Sequence, residues 1–122
     1  MNLHEFQGKD LLSRYGVNIQ RGYVASNSEE SLEIAKKLNK ETGTKCWVIK
    51  AQVHAGGRGK GGGVKLAKNL NEVVKIADEM LGMRLITPQT SVTGKIVNQI
   101  LIAEDVYYPG PDETKEFYIS VL

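Results

Sequence analysis

The chain has 122 residues, which suits one small domain or part of a larger one. Its 41% hydrophobic and 25% charged content is that of an ordinary soluble globular protein. Sixteen basic against 14 acidic residues leave a charge of +2, too balanced to argue nucleic-acid binding, and the single cysteine, Cys46, excludes an intrachain disulfide and a cysteine metal cluster. No apolar run approaches the roughly 20 residues that span a bilayer. The N-terminal MNLHEFQGKD has neither the apolar core of a signal peptide nor the Arg-rich character of a transit peptide. The expected compartment is the cytoplasm, with neither nucleic acid nor membrane as a partner.

Leu3, Phe6, Leu11, Leu12 and Tyr15 recur at near-helical spacing and predict a helix over 3–15 with one apolar face, ended by Gly16. A short strand is expected at 21–25. Ser28 is the expected N-cap of a second helix, with Glu29 and Glu30 in its first turn. That helix should run to about Lys37 or Leu38 and bury Leu32, Ala35 and Leu38. After a loop at 39–45 come a strand at 47–53, a glycine-rich loop at 54–63 and a strand at about 63–67. Asn69 or Asn71 caps the helix NEVVKIADEML, whose apolar face is Val73, Val74, Ala77, Met80 and Leu81, with Gly82 as terminator. Residues 84–87 read as a strand and Thr93-Gly94 as a turn. Val97, Ile100, Leu101 and Ile102 place one buried strand across 95–105. A loop from Tyr107 to Thr114 holds Pro109, Gly110 and Pro111, and a final strand is expected at 116–122. This alternation of helices and strands predicts an α/β or α+β domain. Because the last residues form an apolar run, the polypeptide is expected to continue past Leu122.

The chemistry is concentrated in WVIKAQVHAGGRGKGGGVK, from Trp47 to Lys65. Six glycines fall within the eight residues 56–63, with Arg58 and Lys60 between them. Glycine lets the backbone take positive φ and come close to a ligand, and successive N–H groups in such a loop can hold an anion. The pattern reads as a phosphate cover between two strands, mobile when empty. It is not a Walker A loop, because Gly59-Lys60 is followed by Gly61 instead of Ser or Thr. Gly57, Gly59 and Gly62 satisfy G-x-G-x-x-G, but GVKLA reads as strand where a dinucleotide-binding turn must open a helix. Protein kinases place the glycine loop before the strand lysine, whereas Lys50 comes first here. What remains is a strand lysine followed by a glycine-rich hairpin with an arginine at its tip. A surface hairpin with incidental basic residues is the bland alternative.

NLHEFQGKDLLSRYGV, VIKAQVHAGGRGKGGGVKL and VNQILIAED together closely resemble the start of the β subunits of the succinate–CoA ligase family, and the resemblance runs through essentially all 122 residues. It implies an ATP-grasp fold: the first lobe with its N-terminal helix, incomplete without the second lobe and the C-terminal CoA-ligase domain. It implies interconversion of succinate, CoA and ATP (or GTP) with succinyl-CoA, ADP (GDP) and phosphate. The reaction passes through a phosphohistidine on the α subunit, which is the implied partner. By the same resemblance Lys50 meets the nucleotide phosphates, and Gly57, Arg58 and Gly59 form the covering loop. Ala103 or Glu104 sits at the inter-lobe connection that grips the base, and Glu116 lies near the ribose. Magnesium ligands are expected downstream of this chain, and this segment alone should show no turnover.

His54 beside the loop and His4 near a helix start read as structural or packing residues, since the family's phosphorylated histidine belongs to the other subunit. Asp105, Asp112 and Glu113 are spaced irregularly and read as solvated. Malate–CoA ligase and citrate-cleaving enzymes share this front end, and a non-catalytic nucleotide- or polyanion-binding module is the reading from another class.

Overall fold

The two longer helices begin at the same local device. In the computed structural model, which describes residues 2–107 and 110–119, α2 (Ser28–Thr42) starts at Asn27 and α3 (Leu70–Met80) at Asn69. Each asparagine side chain accepts from the amide three residues on, that of Glu30 or Glu72. Each glutamate reaches back, to the Ser26 and Lys68 amides respectively. Each helix start is thus closed by a side-chain cap and by a glutamate that ties down the amide just before the cap, a variant of the capping box. This corrects the expected Ser28 cap, because the carboxylate that completes the box stands three residues after Asn27. α2 also runs further than its apolar pattern, to Thr42, and closes on Gly43 in the left-handed region.

The strands are β1 (Gly22–Ala25), β2 (Trp47–Ala51), β3 (Val64–Ala67) and β6 (Ile100–Glu104), in the order β1-β6-β2-β3 with every neighbour antiparallel. β4 (Arg84–Leu85) and β5 (Lys95–Ile96) form a separate short ladder. The expected single strand over 95–105 is therefore two pieces. Between them Val97 pairs its backbone with Met83 and Gly82 and leaves the main sheet. The expected strand at 84–87 shortens to Arg84–Leu85. Residues 116–119 form no strand: Phe117 and Tyr118 are 80% and 93% exposed, and the segment joins neither sheet among the described residues. Pro109 and residues 120–122 of those sequence expectations lie outside the described residues.

Alternation along the strands sends successive side chains to opposite faces. Trp47, Ile49, Ala51, Ile100 and Ile102 turn toward α2 and α3 and join Ala35, Leu38, Val73, Ala77 and Met80 in one buried core. The Trp47 indole N–H donates to the Ala35 carbonyl at 3.0 Å, which ties β2 to the middle of α2. The other face of the sheet carries Val48 and Lys50, flanked by Val64, Leu66, Leu101 and Ala103 in register.

α1 (Glu5–Arg14) buries no side chain. Its expected apolar face is largely uncovered among the described residues, with Leu12 50% and Tyr15 82% exposed. Helical spacing alone cannot say whether a neighbour covers the stripe. Instead α1 is held by polar contacts, including the Phe6 amide on Gln52 and Lys9 on Gln20.

Ile102→Ala, at the sheet centre, should lower unfolding free energy in a denaturant titration by about 2–5 kcal/mol. Leu66→Ala, on the half-exposed face, should cost less than about 1 kcal/mol.

Candidate functional site

Lys50 is the charged residue of β2 on the face away from the core, beside Val64 on one side and Leu101 on the other. Its ammonium meets Glu5 Oε1 of α1 at 3.0 Å and Gln20 Oε1 at 3.1 Å. Arg58, from the glycine loop, places Nη2 2.6 Å from Glu5 Oε2 and donates through Nη1 to the Ala51 carbonyl at 2.6 Å. Lys9, one turn along α1, stands 3.2 Å from Glu5 Oε1. One carboxylate thus lies among three cations drawn from a helix, a strand and a loop.

Burial alone would raise the Glu5 carboxyl. The hydrogen bonds from Arg58 and Lys50 and the charges of Lys50 and Lys9 outweigh it and hold Glu5 at about 2. Lys9 is lowered by its burial and by the Lys50 charge, with Glu5 acting against both.

The loop, residues 52–63, is a wound turn anchored on its neighbours. The amides of Lys60, Gly61, Gly62 and Gly63 close back on the carbonyls of Gly57, Arg58 and Gly59. The Gly56 amide donates to Gln89 Oε1 at 3.0 Å. A side chain at Gly61 would run into the Ile86 carbonyl, so this position admits only glycine without a shift of the backbone. Among the described residues, the amides of Gly57, Arg58 and Gly59 donate to no protein acceptor. Gly57 has φ 71°, a left-handed value that turns the chain at the start of this row. A polar cavity of about 670 Å³ lies against it, lined by Glu5, Gly57, Arg58 and Gly59 among others. Successive donors left free beside a polar cavity are the kind of feature that can hold an anion.

The sequence places arginine at the hairpin tip. The structure turns its side chain inward, onto Glu5 and Ala51, and Lys60 is the exposed cation of the loop. His54 and His4 stack at 3.9 Å and 17°, with Phe6 continuing the stack at 5.9 Å from His4. Burial, then the charges of His54 and Arg58, hold His4 below the ordinary imidazole range.

Lys50, Gly57, Arg58 and Gly59 are therefore gathered in one region, and the remaining candidates stand apart from it. Ala103 is fully buried in β6 opposite Gly22 and Val48. Glu104 spends its amide on the Arg21 carbonyl at 2.9 Å and its carboxylate on the Arg21 amide at 2.8 Å. Its carbonyl accepts from Gln20 Nε2 at 2.5 Å. Gln20 bonds Lys50 through its other end, so it joins the two regions. Glu116 is exposed and outside regular structure. Among the described residues no three His, Cys, Asp or Glu side chains converge. No helix among them is long and apolar enough to cross a membrane.

Sequence reasoning missed Glu5, Lys9, Gln20 and Gln89. Glu5 in a first helical turn reads as a complement to the helix dipole. Lys9 is an ordinary i,i+4 partner, but Lys50 and Arg58 lie 45 and 53 residues away, beyond any local pattern.

A depressed carboxyl pKa contributes stability above the unfolded value, and that stability is lost as pH falls toward the folded one. For Glu5 the window runs from 4.5 down to about 2. Thermal unfolding should therefore show Glu5→Gln below wild type at pH 7, with the gap closing through that window. A gap unchanged at pH 2 would contradict the ion cluster.

A sequence profile of the ATP-grasp domain family matches residues 2–122. The chain is 66% identical over all 122 residues to a succinate–CoA ligase [ADP-forming] subunit beta of Flavobacterium psychrophilum. It is 64% and 65% identical over the same length to proteins of that description from Flavobacterium johnsoniae and Christiangramia forsetii. In each case the whole chain is covered and spans 31% of the relative. With its profile match running from Asn2 to the last residue, over a mixed helix-and-sheet lobe that holds a glycine-rich loop against a strand lysine, this chain belongs to the ATP-grasp family.

Proposed function

We propose that this domain binds the phosphates of ATP as the nucleotide-binding part of a succinate–CoA ligase β subunit. The observation that carries the reading is the row of acceptor-free amides at Gly57, Arg58 and Gly59 beside a polar cavity. Backbone donors fixed in this way stabilise phosphate charge without reorganising. Lys50 compensates further charge from the strand behind. Arg58 contributes its amide to the phosphates and its guanidinium to the architecture. The base lies toward Val48 and Leu66, the less polar end of the same sheet face, with buried Ala103 beneath. Glu104 borders that end, and Glu116 approaches the ribose.

The relatives' names supply ADP as the product nucleotide, and hence ATP as its partner in the reaction. The enzyme then joins succinate and CoA at the expense of ATP through a phosphohistidine on an α subunit. In such phosphoryl transfer the protein acts by positioning and charge neutralisation, which is what this lobe offers. Magnesium enters with ligands from outside the described residues. The whole chain aligns at 64–66% identity with relatives of one description, which favours succinate over malate or citrate as the acid.

Lys50→Ala in the intact enzyme should weaken ATP binding by roughly tenfold or more, the loss of a charge-assisted hydrogen bond. Circular dichroism should remain unchanged. Calorimetry giving equal affinity in both proteins would remove Lys50 from the site. Binding indifferent to the base and to magnesium, and abolished by salt, would instead mark a polyanion-binding module.

A further inference from the structure

We propose that Glu5 is a positioning residue for the nucleotide's phosphates, acting through Arg58 and Lys50; this deepens the nucleotide-site reading and rests on it. The carboxylate divides its oxygens, Oε1 to Lys50 and Lys9 and Oε2 to Arg58. Arg58 is the residue on which the loop turn hangs, since its carbonyl accepts from the Gly61 and Gly63 amides at 3.1 and 2.7 Å. Its guanidinium is clamped between the end of β2 and the start of α1. Holding the guanidinium therefore holds the amide row of residues 57–59.

The carboxylate is also what permits the cations to be neighbours. Lys9 and Lys50 share Gln20 Oε1 as well as Glu5 Oε1, so their ammonium groups face each other closely. Without the intervening negative charge they repel, and both side chains are long enough to swing into water. Three cations around one carboxylate leave two positive charges, so the cluster still attracts phosphate. α1 buries no side chain, and Glu5 supplies its charged attachment to the loop and the sheet.

The test compares wild type and Glu5→Gln in the assembled enzyme, by calorimetry against ATP, ADP and adenosine. Loss of an ionic hydrogen-bonding partner should weaken ATP and ADP roughly tenfold. Adenosine, which has no phosphate, should bind as before. Adding Arg58→Gln to Glu5→Gln should cost little more than either change alone, because the two residues act as a unit. Unchanged ATP affinity overturns the proposal. Tighter ATP binding also overturns it, since the carboxylate would then compete with phosphate for the cations. Equal weakening of ATP and adenosine overturns it by reducing Glu5 to general support of the fold. If Glu5→Gln does not fold, Glu5→Asp, which keeps the charge and withdraws it by one methylene, should show a smaller loss confined to the phosphate-bearing ligands. Parity of Glu5→Asp with wild type then counts against the proposal. If wild type binds no ATP, the nucleotide-site reading has failed and this inference falls with it. Normal ATP binding by wild type and by Glu5→Gln, alongside a weakened Lys50→Ala, sinks the inference alone.

Discussion

A single carboxylate among three cations ties this domain's parts together on the side opposite its hydrophobic core. Glu5 meets Lys50 at 3.0 Å and Arg58 at 2.6 Å, with Lys9 at 3.2 Å. The charged groups are partly shielded, each with about a fifth of its side-chain surface exposed. At that exposure removing one partner costs more than on an open surface, because it leaves a partly shielded charge uncompensated. Remove the carboxylate and the remaining charges are all of one sign.

The same arrangement bears on the cost of holding so much glycine in one conformation. Six glycines in eight residues carry a large conformational entropy cost. The loop offsets it with its own turn bonds, the Gln89 contact and the inward-turned Arg58. Glycine serves two physical ends. At Gly61 it lets the backbone pass close to the Ile86 carbonyl, and at Gly57 it allows a left-handed turn that opens the row of free amides. From Ala55 to Gly63 the anchoring leaves the amides of residues 57–59 as the donors without an acceptor among the described residues.

The sheet divides the labour between its faces. One face is apolar, closed by α2 and α3, and sets stability. The other carries Lys50 and partly open apolar positions, and is bordered by α1 and the loop. On that second face the terminal amide of Gln20 accepts from Lys50 through Oε1 and donates to the Glu104 carbonyl through Nε2.

Local chemistry was legible in the chain. Helical periodicity found α2 and α3, β-branched runs found β2 and β6, and the glycine cluster with Lys50 found the loop and its charge. All of these depend on residues within a few positions of one another. The same signals overran where a partner was needed. The apolar run 116–119 joined neither sheet, Val97 was diverted to Met83, and the stripe on α1 found no cover among the described residues. By itself the sequence determined most of the segments that fold and showed that glycine and cations concentrate between Lys50 and Gly63. Tertiary structure alone decided that Arg58 points inward and that Glu5 gathers the cations. The reason is physical: an ion pair joining residues 45 or 53 apart leaves no periodic trace in sequence, and forms only once the sheet has brought the helix and the loop together.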